Sequence, residues 1–329
     1  MQERIRAVLM RGGTSKCLFF HDGDLPADPM LRNEVILAAF GSPDPRQIDG
    51  VGGSYSTTSK VCIIGPPSVP GADVDYTFGQ VSVTGRLVDY AGNCGNCSSA
   101  VGPFAVDEGL VPAVEPVTTV RIHNTNTGKL IVAEVPVREG KALTQGETRI
   151  AGVPNPGAAI RVWFERPAGA KTGRLLPTGR PSEAMTVPGV GEVRISIVDA
   201  ANPLVFVRAQ ELGLTGLEPP EEIDAAPEVL RRLEAVRAEA ARRLGFVEDP
   251  ADAARVIPSL PKVAYVAEPR DYRELYGGTV SAAEVDLLAR IMSMGRLHRA
   301  YALTGAVCTA VAALTPGTVV AEVCRGAGT

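Results

Sequence analysis

The chain has 329 residues, of which 45% are hydrophobic and 21% charged, a balance typical of a folded globular protein rather than a disordered one. Its 33 basic and 37 acidic residues give a formal net charge of -4 without a basic stripe, so we expect no nucleic-acid partner. No apolar run reaches the about 18 residues of a spanning helix, and charges interrupt the N-terminal stretch, so we expect a cytoplasmic protein with no membrane association.

The first predicted elements are a strand pair and a helix. Two β-prone runs in RIRAVLMRGGTSKCLFF flank Gly12 and Gly13, which predicts a hairpin. Residues 28–40 show the helical spacing of apolar side chains, with Asp28 as the N-cap. A polar, glycine-rich loop over residues 41–59 then leads into a short buried strand that contains VCII.

More strands and one central helix follow. The alternation in residues 74–90 predicts two strands, and AGNCGN then opens an apolar helix just after Cys94. We predict further strands at 118–123, 129–137, 159–165 and 192–198. The basic, Gly/Pro-containing stretch 166–183 is typical of a linker. The chain is long enough for two domains, which we place at 1–184 and 185–329.

Two helices are predicted in the C-terminal half. The first is amphipathic, begins near Pro227 and ends at Gly245. The second begins at Ser281, where Glu284 completes a capping box, and runs through residue 300. His298 would lie late in this second helix.

The two halves of the chain share a weak internal repeat. GNCSSAV at 95–101 aligns with GAVCTAV at 305–311, at an offset of 210 residues, and both lead into apolar helical stretches. A fainter match sets residues 9–20 beside 197–208. These matches favour a duplicated fold.

Cys94 is the first candidate for chemistry. It precedes a helix start, where free backbone N–H groups and the helix dipole favour a thiolate or a bound carboxylate. A thiol has an ordinary pKa of about 8.5, so a modestly favourable environment would let it take and return a proton near neutral pH. The competing interpretation is a small buried cysteine with a structural role.

Cys94 and Cys97 also spell CGNC, which raises the alternatives of a metal site and a redox-active pair. The sequence has no second CxxC, and none of its three histidines has ligand spacing to this pair. GGTSK at 12–16 lacks Walker A spacing, and no GxGxxG motif follows a strand. We therefore predict reduced cysteines, no metal and no cofactor.

Lys60 is the second candidate, because it ends the polar loop GGSYSTTSK and enters the apolar strand VCII. Burial at that position would disfavour the ammonium form, lower the pKa and supply a neutral amine as a base. Loop groups such as those of Gly53, Ser54 and Ser59 suit carboxylate oxygens. The alternative is a surface lysine beside a solvated turn.

Five motifs stand in order along nearly the whole chain: LMRGGTSK (9–16), TSKV (58–61), NCGN (93–96), MGRLHRA (294–300) and TGAVC (304–308). Together they resemble the PrpF-type isomerases, a family that includes 2-methylaconitate, 3-methylitaconate and 4-oxalomesaconate isomerases. The resemblance implies an α+β, diaminopimelate epimerase-like fold. Such a fold has two pseudo-symmetric domains, each a β-roll or barrel around a central helix, with the active site between them. A homodimer is also implied.

In this family the lysine of TSK and the cysteine of NCGN are implicated in proton transfer, which implies catalytic roles for Lys60 and Cys94. One departure from many relatives is Cys17, where glycine is frequent. The repeat places Thr304 opposite Cys94, so a racemase with two catalytic cysteines is disfavoured. We expect the substrate to be bound by Thr14, Ser15, Gly53, Ser54, Ser59, Asn96, Thr304, Gly305 and His298.

The expected function is therefore the cofactor-independent isomerisation of a small unsaturated di- or tricarboxylic acid through a dienolate. Acids of the aconitate, 2-methylaconitate or methylitaconate type are slightly favoured. The alternatives are a 4-oxalomesaconate tautomerase and a noncatalytic carboxylate-binding homologue. Since the sequence does not orient a substrate, either Lys60 or Cys94 can be the base.

Overall fold

The structure is a computed structural model that describes residues 3–274 and 277–326 of the chain. It divides into two compact units, Met1–Arg166 and Pro167–Thr329. Each unit combines a mixed β-sheet with helices, so the α+β class expected from the sequence is confirmed.

Among its described residues, the first unit has nine strands and two α-helices. The strands are β1 (Val8–Gly12), β2 (Ser15–His21), β3 (Lys60–Gly65), β4 (Val74–Val81), β5 (Val88–Asp89), β6 (Val117–Asn124), β7 (Lys129–Arg138), β8 (Lys141–Ala142) and β9 (Arg161–Phe164). The helices are α1 (Pro29–Phe40) and α2 (Gly95–Asp107). The sheet order is β1-β2-β3-β4-β6-β7-β8, with β5 beside β4 and β9 beside β7.

Helix α2 is the centre of the first unit, as predicted. It contacts strands along the whole sheet, from β1 to β9, so the sheet curls around it. Val101 and Phe104 of the helix are almost fully buried with Ile122 and Ile131 of the sheet. Each such side chain contributes about 1.5–3 kcal/mol on burial, which holds the helix inside the roll.

Helix α1 covers the other face of this sheet, where Phe40 packs in one cluster with Ile63. Its predicted N-cap is confirmed, because the Asp28 side chain accepts a hydrogen bond from the Leu31 N–H at 2.8 Å. Gly41 follows the helix with a φ of 71°, the left-handed conformation that commonly ends a helix.

The predicted hairpin is formed by β1 and β2, and its turn lies directly against α2. A β-carbon added at Gly12 would be 2.3 Å from the carbonyl oxygen of Asn96. Gly13 has a φ of 51°, and a β-carbon there would be 2.1 Å from Asn96 Oδ1. The two glycines therefore allow the turn to reach the first turn of the central helix.

The described residues of the second unit form eight strands and five α-helices. The strands are β10 (Glu183–Val187), β11 (Gly191–Ala200), β12 (Asn202–Arg208), β13 (Lys262–Ala267), β14 (Tyr272–Arg273), β15 (Thr279–Val280), β16 (Leu288–Ser293) and β17 (Arg296–Leu297). The helices are α3 (Pro220–Asp224), α4 (Pro227–Arg243), α5 (Ala253–Val256), α6 (Leu303–Ala313) and α7 (Val319–Val323). Six of the strands form one sheet in the order β10-β11-β12-β13-β16-β17, and β14 pairs with β15.

Helices cover both faces of the six-stranded sheet. On one face α6 and α7 contact β11 and β12, and Cys308 is buried there with Phe206. On the other face α4 packs through Leu233. The amphipathic helix predicted from Pro227 is confirmed as α4, and Gly245 follows it with a φ of 71°.

The segment 166–183, predicted to be a linker, is bound to the second unit by Asp199. The N–H groups of Lys171 and Thr172 donate to Asp199 Oδ2 at 2.9 and 2.7 Å, and the Gly169 N–H donates to the Asp199 carbonyl at 2.8 Å. These bonds explain why the boundary between the two units lies between residues 166 and 167 of the chain. The sequence places the boundary later, at 184/185.

The helix predicted from Ser281 to residue 300 is wrong. Its capping box exists, but it caps only the 3-10 turn Ala282–Glu284. The following residues form β16, which pairs antiparallel with β13 and buries Leu288 and Ile291 in different core clusters. Pairing with β13 and burial on both faces stabilise the strand more than the helix-favouring local sequence would stabilise a helix. His298 consequently follows strand β17 and does not lie on a helix.

Both units contain the same strand pattern, which supports the duplication. Each contains a hairpin (β1-β2 and β11-β12), whose second strand runs parallel to the next long strand (β3 and β13). That strand in turn pairs antiparallel with a strand later in the chain (β4 and β16). The central helices α2 and α6 both pack on their own hairpin.

The two central helices revise the alignment of Thr304. Because α2 begins at Gly95 and α6 at Leu303, Thr304 occupies the position of Asn96 rather than of Cys94. Both side chains bind the hairpin of their own unit. Asn96 Oδ1 accepts from the Thr14 N–H at 3.2 Å, and Thr304 Oγ1 accepts from Asn202 Nδ2 at 2.9 Å. The N-cap position of α6 is taken by Ala302, so this helix start carries no thiol.

We predict that Gly12→Ala will destabilise the first unit by about 1–3 kcal/mol, because the new methyl group must displace the first turn of α2. The matched control is Gly23→Ala, where an added β-carbon has no atom within 4 Å. Its effect should stay within about 0.5 kcal/mol. Urea unfolding of both variants measures the difference, and equal stabilities would contradict the close packing of the turn on α2.

Candidate active site

Lys60 begins strand β3 and is buried, with 5% of its surface exposed. Its Nζ donates to Gln80 Oε1 at 2.7 Å and lies 5.1 Å from the centre of the Phe78 ring. Gln80 Nε2 donates to the carbonyl groups of Ser56 and Ser59 at 3.0 and 2.9 Å. Since the amide nitrogen is used in this way, the amide oxygen is fixed toward Lys60.

Cys94 is the N-cap of α2 and is 8% exposed. Its Sγ accepts a hydrogen bond from the Cys97 N–H at 3.5 Å. The Cys94 carbonyl accepts from Ser98 Oγ at 3.0 Å and from Tyr76 Oη at 3.4 Å. These bonds hold the thiol where the N–H groups of the first helical turn are exposed to it.

Three further cysteines lie beside this pair. The Sγ atoms of Cys17, Cys62 and Cys97 are all within 4.8 Å of one another, and those of Cys17 and Cys97 are 2.7 Å apart. Two thiolate ligands of one tetrahedral zinc ion, each bound at about 2.3 Å, would be about 3.8 Å apart. The Cys17–Cys97 contact is shorter than that, so the three sulfurs do not have the spacing of ligands that share one zinc ion.

The charges of this cluster are coupled. Burial raises the pKa of Cys17, but hydrogen bonds with Cys62 and Cys97 outweigh it and lower the pKa from 9.0 to about 6. Burial lowers the pKa of Lys60, but electrostatic interactions with Cys94 and the other sulfurs outweigh it and raise the pKa above its usual value. A hydrogen bond with Cys97, followed by burial, raises the pKa of the Cys94 thiol well above its ordinary range.

The directions of these pKa shifts correct two expectations from the sequence. Lys60 has a raised rather than a lowered pKa, because sulfur atoms surround it. The pKa of Cys94 is raised rather than lowered, although the charge of Lys60 opposes the effects of the Cys97 hydrogen bond and of burial. These pKa directions favour the ammonium form of Lys60, the thiol form of Cys94 and the thiolate form of Cys17.

Two hydroxyls near the hairpin turn are buried without hydrogen-bond partners in the described part of the chain. Thr14 Oγ1 and Ser15 Oγ are shielded from solvent and have no hydrogen-bond partner among the described residues. They lie at the hairpin turn, and the Thr14 N–H donates to Asn96 Oδ1 in the first turn of α2. Buried polar atoms without partners are rare in folded proteins. A carboxylate beside this helix start would satisfy both hydroxyls.

The glycine-rich loop is held by Gln47, which the sequence analysis missed. Gln47 Oε1 accepts from the Ser54 N–H at 2.9 Å and from Ser59 Oγ at 2.7 Å. Ser54 has a φ of 67°, a strained conformation for a residue with a side chain. Lys16 Nζ also donates to the Val51 carbonyl at 2.9 Å. The Ser59 hydroxyl already donates to Gln47. Substrate binding by Ser59 and by Gly53 therefore remains a prediction.

The remaining predicted residues belong to the second unit. Thr304 and Gly305 lie in the first turn of α6, and Thr304 is bound by Asn202. His298 is 6% exposed, and its Nδ1 accepts from the Ala300 N–H at 3.2 Å. Their part in binding the same ligand remains a prediction.

A profile of the PrpF protein family matches residues 2–329. The chain belongs to the PrpF family. It is 49% identical to a 3-methylitaconate isomerase of Eubacterium barkeri, over 99% of this chain and 86% of that protein. It is 43% identical to a 4-oxalomesaconate tautomerase of Pseudomonas putida, over 97% and 82% of the two chains. A 2-methyl-aconitate isomerase of Shewanella oneidensis is 41% identical, over 97% and 83%.

Solved structures confirm the fold of this PrpF-family chain. A methylitaconate-delta-isomerase structure is 49% identical and has a TM-score of 0.78, over 99% of this chain and 84% of that one. A hydroxyproline epimerase from Agrobacterium vitis has a TM-score of 0.53 at 16% identity, over 94% and 78% of the two chains. This likeness shows the diaminopimelate epimerase-like architecture. Within the described residues, no helix has the length and apolar character needed to cross a membrane.

We predict that Lys60→Met will raise the pKa of Cys17, because the nearby ammonium stabilises the thiolate. Thiolate absorbance, followed by ultraviolet spectroscopy as a function of pH, measures this change. Lys16→Met is the matched control, since its side chain binds the loop at Val51 instead. An unchanged titration midpoint in Lys60→Met, or equal shifts in the two variants, would contradict the charge coupling.

Proposed function

We propose that this PrpF-family protein is an isomerase of small unsaturated di- or tricarboxylic acids. It would remove and return a proton through a dienolate, without a cofactor. The observation that carries the proposal is the buried pair of Lys60 and Cys94. The two groups are close enough for their charges to shift each other's pKa. Such a pair offers a proton donor and a proton acceptor at one place.

The binding of the substrate carboxylates is proposed to begin at the hairpin turn. Thr14 and Ser15 would donate hydroxyl hydrogens, and Asn96 marks the adjacent helix start. Charge-assisted bonds of this kind are stronger than bonds between neutral groups. Gly53, Ser54 and Ser59 of the loop would complete this side. Thr304, Gly305 and His298 of the second unit are proposed to bind the substrate as well.

The chemistry follows from the coupling of Lys60 and Cys94. Loss of one proton from the pair gives either a neutral amine with a thiol, or an ammonium with a thiolate. Both forms carry the same net charge, and both contain one acid and one base. One group would take the allylic proton, and the other would protonate a different carbon of the dienolate. N–H groups at the start of α2 would stabilise the growing negative charge.

The names of the relatives support this class of substrate. Proteins named for methylitaconate, 2-methyl-aconitate and 4-oxalomesaconate are 41–49% identical to this chain over most of their length. We favour a methylitaconate-like or aconitate-like acid, because a relative and a solved structure named for methylitaconate are both 49% identical. The homodimer and the cytoplasmic location expected from the sequence also remain predictions.

Two other functions are tested by one experiment. Proton NMR in deuterium oxide, with a panel of the three acids, shows which carbon exchanges and which product forms. Exchange and turnover with 4-oxalomesaconate alone would replace the favoured substrate. Tight binding of the acids without any exchange would identify a noncatalytic carboxylate-binding protein and refute the isomerase proposal.

We predict that Lys60→Met and Cys94→Ala will each lower kcat by roughly 10²–10⁴-fold, because each removes one of the two proton-transferring groups. The NMR exchange assay measures this loss. Lys262→Met is a matched control, since Lys262 begins β13 as Lys60 begins β3, but in the second unit. Full turnover by either of the first two variants would show that the pair is assigned incorrectly.

We predict that Gln80 sets the pH at which kcat/KM falls on the acidic side of its pH profile. Gln80→Glu places a carboxylate beside Lys60, favours the ammonium form and should move this fall of kcat/KM to higher pH. Gln80→Met removes the hydrogen-bond acceptor of Lys60 and disfavours the buried ammonium. The acidic fall of kcat/KM should therefore move to lower pH. Shifts in the same direction, or no shift in either variant, would contradict the role given to Gln80.

A further inference from the structure

Cys94, Cys97 and Cys17 form a continuous path from the edge of the core to its interior. Cys94 is 8% exposed, whereas Cys97 and Cys17 are each 0% exposed. The Cys94 Sγ accepts from the Cys97 N–H at 3.5 Å, and hydrogen bonding also links the two side chains. Cys97 Sγ then lies 2.7 Å from Cys17 Sγ. Exposure therefore falls along the path while each sulfur stays close to the next.

The first two thiols have the arrangement of a redox-active pair. Cys94 is the N-cap of α2, and Cys97 is the third residue of the helix, so the CGNC motif spans the helix start. Attack on an oxidised sulfur requires a neighbouring thiol within reach, and Cys97 provides one. Cys17, which was not expected beside this pair, lies on strand β2 at the far side of Cys97.

We infer that Cys97 and Cys17 form a thiol relay that transfers oxidation by a hydroperoxide from Cys94 into the core and returns Cys94 to its reduced form. The inference rests on the proposed function only in assigning a catalytic role to Cys94. Cys94 is the point of entry because it is the only member of the path with exposed surface.

The relay consists of three balanced steps. The Cys94 sulfur loses its thiol proton and attacks one peroxide oxygen, the O–O bond breaks, and Cys94 becomes a sulfenic acid while the proton leaves with the other oxygen as an alcohol or water. The Cys97 thiol then attacks the Cys94 sulfur, which forms the Cys94–Cys97 disulfide and releases water. Finally the Cys17 thiolate attacks the Cys97 sulfur and the Cys94 thiolate leaves. Two thiols have then given two electrons and two protons to the peroxide.

The surroundings favour attack by Cys17 in the last step. Its sulfur has thiolate character near neutral pH, with a pKa of about 6, and an ionised thiol attacks a disulfide faster than a neutral one. The charge of Lys60 lowers the pKa of the leaving Cys94 sulfur and opposes the Cys97 hydrogen bond and the burial that raise it.

Treatment of the full chain with hydrogen peroxide tests the relay. After alkylation of the remaining thiols, peptide mass spectrometry should find the Cys17–Cys97 disulfide and an alkylated Cys94. In Cys17→Ala the same treatment should give the Cys94–Cys97 disulfide, and several-fold faster loss of activity relative to the untreated variant. Cys17→Ser serves as a second variant if the alanine variant does not fold. Cys308→Ala is the matched control, because Cys308 is a buried thiol of the second unit that donates to the Val198 carbonyl.

Three outcomes would overturn the relay. These are a stable Cys94–Cys97 disulfide in the unmodified protein, a Cys62–Cys97 disulfide in place of the Cys17 bond, and no Cys94–Cys97 disulfide in the treated Cys17→Ala variant. The disulfide map does not depend on turnover, so it separates the two proposals. If Cys17→Ala forms the Cys94–Cys97 disulfide but keeps its activity, the relay holds and the catalytic role of Cys94 fails.

Discussion

The buried ammonium group of Lys60 is the constraint on which the rest of the site depends. A charge taken out of water costs several kcal/mol unless partners replace the lost hydration. Here the partners are the amide oxygen of Gln80 at 2.7 Å, the ring of Phe78 and the sulfur cluster. Because the sulfurs and the ammonium stabilise each other's charge, the protonation of Lys60 and Cys94 depends on the thiols around them.

The same constraint connects Lys60 to the loops that would hold the substrate. Gln80 can accept from Lys60 only because its amide nitrogen donates to the carbonyls of Ser56 and Ser59. Ser59 is fixed in turn by Gln47, which also holds the strained backbone at Ser54. The glycine-rich loop is therefore positioned by the groups that position the lysine.

The sequence predicted the parts of this site that are local in the chain. The hairpin at Gly12 and Gly13, the start of α2 after Cys94 and the entry of Lys60 into a buried strand each depend on a short run of residues. The family resemblance then joined Lys60 to Cys94. The fold class followed from the same resemblance together with the internal repeat.

Features that depend on contacts distant in sequence were not predicted. Gln80 and Gln47 look like ordinary polar residues until the fold brings them to Lys60 and the loop. Cys17 and Cys97 are 80 residues apart in the sequence, and only the packing of β2 on α2 brings them into contact. The raised pKa of Lys60 follows from that packing, because burial alone would have lowered it.

The helix predicted from Ser281 fails for a related reason. Its capping box is real, but the edge of β13 offers backbone partners to the residues that follow it. A pattern of residues close together in the sequence contains no information about pairing with a strand that is distant in the chain. By contrast, α4 keeps its predicted start at Pro227, because its apolar face packs on the sheet in the helical conformation.

A crystal structure with an unreactive tricarboxylate bound would test the central claim most directly. We expect a carboxylate oxygen within hydrogen-bond distance of Thr14 Oγ1 and Ser15 Oγ. We also expect Lys60 Nζ and Cys94 Sγ to face the two ends of the three-carbon allylic unit of the bound acid. A ligand that leaves both hydroxyls without partners, or that binds away from Lys60 and Cys94, would contradict this account of the site.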